Sequence, residues 1–299
     1  MKTILRGAVV IAMLLATTAW ANPEPTADDA ARASVQKFLE QIEYKTGEIE
    51  IGDDLAKLDV PESFRYVGPE DAAKILRLWG NPPGDDPPLG ILFPAGKTPA
   101  SDDSWAVVIE WSGDGHVKDD DAEKIDYAEL LKDMQESARE ASKERTRDGY
   151  EAIELVGWAT APRYDKTTHK MYWAKDLTFG GAPAHVLNYN IRILGRKGVL
   201  VLKAVAGLDQ LNEIEAVVPQ ILAMVDFKEG NRYTDFKPDS DKVAAYGLAA
   251  LVAGGIAAKA GLFKGLIVMV LAAKKFIILG VIALIAAIKK FMGRNRATT

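Results

Sequence analysis

Asp165 and His169 stand four residues apart in a turn-forming stretch. A carboxylate that orients an imidazole is what a general base requires, so this pair is a candidate for acid–base catalysis. The same residues also read as a strand–turn–strand hairpin whose turn Asp165 closes. A second cluster, Asp119-Asp120-Asp121, offers oxygen ligands for calcium or magnesium, although the spacing does not follow the EF-hand pattern. Acids at a helix entry also accept backbone amide donors, and that reading stands beside the metal one. A third group lies on one strand. Asn188, Asn190 and Arg192 alternate with Leu187, Tyr189, Ile191 and Ile193, so the polar three share a face. Together with Trp158, Tyr164 and Arg196 they are candidates for a binding groove. A polar strand face is equally the solvated side of an antiparallel sheet.

Other chemistries are poorly served. The three histidines, His116, His169 and His185, have no short metal-binding spacing. No phosphate loop, dinucleotide fingerprint or Gly-x-Ser-x-Gly nucleophile elbow occurs. There is no cysteine, which excludes disulfides, thiol catalysis and thiolate metal sites. No cofactor is expected. The metal candidates Asp119, Asp120 and Asp121 are weak ones.

The elements that must carry these residues follow from periodicity. Residues 47–67 read as a hairpin followed by a short strand, and Pro69 opens a helix that ends near Trp79. Residues 89–93 and 105–111 read as paired strands. Asp126 caps a helix running to about Arg145, with Glu129 three residues on. Residues 151–207 read as four consecutive strands with short connections, which implies antiparallel pairing. A helix over residues 208–225 shows one apolar face, including Leu211, Ile214, Val218 and Ile221. The expected class is α+β, an antiparallel sheet with helices packed on one side, in a single exported domain.

Charge divides the chain. Ten of the 37 basic residues lie in residues 1–21 and 243–299, while all 42 acidic residues lie between, so residues 22–242 carry a formal charge of −15. An acidic domain repels phosphate backbones, so no nucleic-acid partner is expected. Residues 1–21 have the basic start, short apolar core and Ala19-Trp20-Ala21 site of a signal peptide cleaved after Ala21. Residues 227–242 read as a polar linker. Residues 243–263 are apolar apart from Lys259 and, at about 30 Å as a helix, are long enough to span a bilayer. Residues 264–299 are either a basic amphipathic helix on the membrane surface or a second span. Lys264, Lys274, Lys275 and Lys289 phase together, and with Lys290 they suit anionic headgroups.

Several ordered motifs resemble the DUF2167 family of uncharacterised bacterial membrane proteins. They are Trp79-Gly80-Asn81-Pro82, Asp119-Asp120-Asp121-Ala122, Gly157-Trp158-Ala159 with Pro162, Tyr164 and Asp165, Tyr172-Trp173-Ala174, and the run from Leu187 to Leu200. The lysine-spaced tail belongs to the same resemblance, which covers residues 47–296. His116 stands where the resemblance leads one to expect an aromatic such as tyrosine. The resemblance implies a signal-bearing envelope protein tethered to the membrane and implies no reaction.

The leading expectation is a binding or structural module facing the periplasm from the bacterial inner membrane. Its partners would be membrane lipid and other envelope proteins, with any small-molecule ligand unknown. Two alternatives stand beside it: an envelope hydrolase using Asp165 and His169, or the Asp119–Asp121 cluster with a divalent cation, and an accessory subunit of a membrane complex.

Overall fold

The computed structural model describes residues 35–79, 81, 87–101 and 103–254. Residues 35–41 are helical and belong to a separate unit. From Ile42 onward the chain builds two antiparallel sheets. The larger has eight strands in the order β1-β4-β5-β6-β10-β9-β8-β7. These are β1 (Tyr44–Lys45), β4 (Phe64–Val67), β5 (Gly90–Pro94), β6 (Val107–Ser112), β7 (Ile153–Asp165), β8 (Lys170–Phe179), β9 (Val186–Leu194) and β10 (Val199–Gly207). The smaller sheet joins β2 (Gly47–Ile51), β3 (Ala56–Val60) and β11 (Val225–Phe227), in the order β11-β3-β2. The class is therefore mixed α+β with antiparallel sheets, as expected.

Strand parity assigns two cores to the large sheet. Leu187, Tyr189, Ile191 and Ile193 of β9 and Leu200 and Leu202 of β10 enter one core. Across it lie the small sheet and helix α3 (Leu211–Met224), through Leu58, Val60, Ile214, Val218 and Ile221. Met171 and Trp173 of β8 and Val199 and Val201 of β10 belong to the opposite parity and enter a second core. Helix α2 (Tyr127–Arg147) covers this side through Met134, Leu130 and Leu131, and α4 (Leu248–Ala253) through Leu248, Leu251 and Val252. Helices thus cover both faces, where one was expected. Helix α1 (Pro69–Leu78) buries Ala72 and Ile75.

Polar contacts fix α2 to β7. The Asp126 carboxylate accepts from the amides of Ala128 and Glu129 at the start of the helix. Gln135 donates to the carbonyls of Leu155 and Val156, and the Trp158 indole donates to the Tyr127 carbonyl at 3.1 Å. Ser142 exchanges hydrogen bonds with both backbone groups of Ile153. These contacts sit beside the register shifts of β7, where a bulged strand leaves backbone groups for side chains to satisfy.

Residues 227–242 are not a linker. They begin on the last residue of β11 and contain a 3-10 turn at Tyr233–Asp235, and their end is tied into the domain. The Arg196 guanidinium holds the Asp241 carboxylate by two hydrogen bonds, at 2.6 and 2.9 Å. The start of the expected span also belongs to the fold. His116 and Val243 form a parallel bridge: the His116 amide donates to the Lys242 carbonyl and the Ala244 amide donates to the His116 carbonyl. A Cβ on Gly115 would lie 2.7 Å from the Lys242 carbonyl oxygen, so only glycine admits this approach. Ala244, Leu248, Leu251 and Val252 are then buried in the second core. Helix α4 ends at Gly254, whose left-handed φ of 95° turns the chain. Apolar side chains read as facing lipid instead face the protein. Among the described residues no helix is long and apolar enough to cross a membrane. The signal-peptide reading of residues 1–21, and the membrane-surface lysines Lys264, Lys274, Lys275, Lys289 and Lys290, lie outside the described residues.

Asp121 caps α4, accepting from the amides of Leu248 and Ala249, both at 3.1 Å. Asp121→Ala removes both acceptors and is expected to cost about 1 kcal/mol, lowering Tm by about 2–4 °C in scanning calorimetry. An unchanged Tm would remove this cap from the stability of the domain.

Candidate functional site

Three separate stretches meet at Asp119. The end of β7 brings Tyr164 and the turn after it His169, the loop after β6 brings His116 and Asp119, and the turn after β11 brings Tyr233 and Phe236. The Tyr164 hydroxyl donates to one Asp119 oxygen at 2.7 Å and the Tyr233 hydroxyl to the other at 3.1 Å. His169 Nδ1 lies 3.1 Å from the Tyr164 hydroxyl and 3.6 Å from the Asp119 carboxylate. Tyr164 has one hydrogen, and it goes to the shorter contact. His169 Nδ1–H then donates to the tyrosine oxygen.

The rings stack as well as bond. His169 lies on Tyr233 at 4.0 Å, His116 on the same tyrosine at 4.3 Å, and His116 on Phe236 at 4.0 Å with 18° between planes. His116 thus fills the position of an aromatic. It is 6% exposed, and burial holds its pKa below the ordinary value against backbone hydrogen bonding from Gly195 and Arg196. His169 adopts a left-handed φ of 52° in the turn, uncommon for a residue with a side chain though less so for histidine than for most.

Electrostatics within the cluster are one-sided. Burial alone would raise the Asp119 pKa, but the hydrogen bonds from Tyr164 and Tyr233 and the charge of His169 outweigh it and hold the carboxyl low. Both tyrosines are driven upward, Tyr164 by burial and its bond to Asp119, Tyr233 by burial and the Asp119 charge. The hydroxyls are therefore donors, and the carboxylate is an acceptor with a partner on each oxygen.

The other sequence candidates are dispersed. Asp165 faces its own turn, accepting from the Thr167 amide at 2.8 Å and the Thr168 hydroxyl at 2.8 Å. The carboxylate that meets His169 is Asp119. Asp120 is exposed, and Asp121 caps α4, so the three neighbouring aspartates serve different places. Among the described residues no three His, Asp or Glu side chains gather as a metal site. Trp158 anchors α2, and Arg196 pairs with Asp241. Asn188, Asn190 and Arg192 are 1, 3 and 8% exposed, so the polar face of β9 is neither solvated nor an open groove wall. An open cleft of about 460 Å³ lies instead beside Gly115, Arg196, Lys197, Asp241 and Lys242. Tyr233 escaped the sequence reading. Its signal was an aromatic pair, Tyr233 and Phe236, three apart in an otherwise polar stretch.

Removing the Tyr164 hydroxyl leaves one Asp119 oxygen without its donor. Tyr164→Phe is expected to lower stability by about 1–3 kcal/mol in urea denaturation, and Tyr233→Phe added to it should act less than additively. Strict additivity would show that the two hydroxyls do not share one carboxylate. A pH series gives an independent reading. The hydrogen bonds from Arg196 hold the Asp241 pKa down to about 2. Its contribution is complete above the ordinary aspartate value near pH 4 and is lost as pH falls toward 2. Asp241→Asn should flatten the acid limb of the stability curve in that window, and an unaltered limb would assign it to other carboxylates.

Among solved structures, the chain is similar to the solution structure of cyanobacterial PsbP (CyanoP) from Synechocystis sp. PCC 6803. Identity is 9%, coverage is 62% of this chain and 92% of that one, and the TM-score is 0.33. It is also similar to the crystal structure of LpqN from Mycobacterium tuberculosis, a protein involved in cell envelope biogenesis. There identity is 17%, coverage is 69% and 99%, and the TM-score is 0.31. At these scores neither likeness carries a function across. No curated protein matches. The family model described as a protein of unknown function, DUF2167, matches residues 43–285, and the chain belongs to that family.

Proposed function

We propose that the protein is a non-catalytic binding or structural module of the bacterial envelope, held at the inner membrane by its C-terminal segment with the folded domain on the extracytoplasmic side. The observation that carries the first half is the pairing of each Asp119 oxygen with a tyrosine hydroxyl. Both carboxylate oxygens hold tyrosine hydroxyls, the tyrosines are disfavoured as anions, and the rings are stacked. Such a cluster locks three segments together. The membrane half of the reading rests on composition. Because α4 ends at Gly254, membrane contact is assigned to residues 255–299, which carry eight Lys or Arg and no acid. The acidic domain and the acid-free segment then occupy opposite sides of the headgroup layer. Other envelope proteins are the natural partners of such a module.

The absence of native cysteine makes topology directly testable. A Thr298→Cys variant should escape an impermeant thiol reagent in intact spheroplasts and react after permeabilisation. Labelling in intact spheroplasts would overturn a single crossing, and recovery of the protein with the soluble periplasmic fraction would overturn the tether.

A second reading, an envelope hydrolase, is favoured by one observation: His169 Nδ1 meets a carboxylate within 3.6 Å. Purified protein tested on chromogenic ester and phosphodiester substrates separates the two. Turnover abolished by His169→Gln would establish the catalyst, and no turnover above the His169→Gln background favours the binding module.

A further inference from the structure

The buried polar face of β9 has donors without acceptors. Its register sets three strands side by side. Lys175 of β8 is opposite Asn188, Trp173 is opposite Asn190, and Met171 is opposite Arg192. On the other flank, Lys203 of β10 is opposite Asn190 and Val201 is opposite Arg192. Directly paired residues share a face and stand about 5 Å apart at Cβ, so one patch contains Lys175, Trp173, Asn188, Asn190, Arg192 and Lys203.

The patch is rich in donors and positive charge. The Arg192 guanidinium reaches only neutral oxygens, the Ile191 carbonyl at 3.0 Å and the Asn190 side-chain oxygen at 3.2 Å. It lies 5.0 Å from the centre of the Trp173 ring. Among the described residues its Nε has no acceptor, and neither do Asn188 Nδ2 or Trp173 Nε1, all three atoms being buried. The nearby carboxylate, Glu110, is paired with Lys203 at 2.5 Å. Tyr246 donates its hydroxyl to Asp114. Among the described residues that leaves Arg192 and Lys175 without a hydrogen-bonded carboxylate, Arg192 feeling the Glu110 charge only at a distance. Loss of surrounding water lowers the pKa of both, Lys175 to about 8, helped by the Arg192 charge, and Arg192 to about 10.

Buried donors are nearly always satisfied, and a buried charge without a counter-ion is strongly unfavourable. Water can fill the three vacant donors but cannot neutralise the charge. A small oxyanion does both, because its oxygens accept several hydrogen bonds while its charge offsets the two cations. From this geometry we infer that the protein binds an oxyanion, a carboxylate or a phosphate group, on the β8–β9–β10 face, with Arg192, Lys175, Asn188 and Trp173 as its donors. Lys175 is only partly buried and marks the side from which the anion enters. The site shares no residue with the Asp119 cluster and stands whether or not that cluster is catalytic.

The full-length protein in neutral detergent, freed of phosphate and sulfate, is titrated with inorganic phosphate and separately with acetate while Tm is followed. Saturable stabilisation is expected with one of the two. Lys175→Met should weaken it by about tenfold or more. Arg192→Met removes a buried charge and fills the space with apolar atoms. It should raise the Tm of the anion-free protein and abolish the shift. Vesicles of phosphatidylcholine with and without phosphatidylglycerol distinguish a lipid headgroup from a free anion. Stabilisation by the anionic vesicles alone, lost in Lys175→Met, assigns the headgroup. If neither phosphate, acetate nor anionic vesicles stabilises the protein, or if Lys175→Met responds as the wild type does, the proposal falls. Lys175→Met keeps the test decisive even where Arg192→Met does not fold.

Discussion

The fold depends on a sheet that is covered on both faces. Antiparallel sheets can leave one face to water, and β9 has the alternation suited to that arrangement. The domain instead packs α3 and the small sheet on one side and α2 and α4 on the other. Asn188, Asn190 and Arg192 are consequently carried inside with the apolar residues. A conventional core of Leu, Ile and Val occupies the first side, whereas the second side mixes Met171, Trp173 and Leu248 with charge. The polar content of that side comes from strand geometry, since every inward residue of β9 on one parity is matched by an inward residue on the other.

The second core is also what makes the C-terminal part of the described chain a member of the domain. Val243 extends the fold by pairing with His116, and α4 then lays its apolar side chains against Val199, Val201 and Trp173. Gly115 and Gly247 permit this closure. A Cβ at Gly247 would lie 2.7 Å from an Asp121 oxygen, the atom that caps the helix. The aspartates of residues 119–121 thus work in two directions. Asp119 gathers aromatic side chains and Asp121 receives a helix.

Local signals carried much of the architecture. The Asp126 cap, proline at the start of α1 and the alternating runs of β8, β9 and β10 each reflect interactions within a few residues, so sequence alone locates them. What it missed was long-range. Nothing local distinguishes a polar strand face turned to water from one covered by helices 50 residues away. Residues 243–254 have the same apolar composition whether they face lipid or a protein core, and their burial depends on a bridge to His116. The site was legible in parts. Tyr164, His169 and Asp119 stood out by residue type, but the pairing of His169 was assigned to Asp165, its sequence neighbour. Tyr233 was hidden because its role comes from stacking on two histidines far away in the chain.

The junction at Gly254 has a mechanical side. Tension on the chain beyond it acts first on a six-residue helix held by two amide caps, then on the short His116–Val243 bridge. Behind that bridge lies the His116–Tyr233–His169 stack. The load path therefore runs straight from the chain's exit into the aromatic cluster, and a pull would peel α4 before it reached the sheet. A six-residue helix thus stands outermost on that path, with the aromatic cluster next in line.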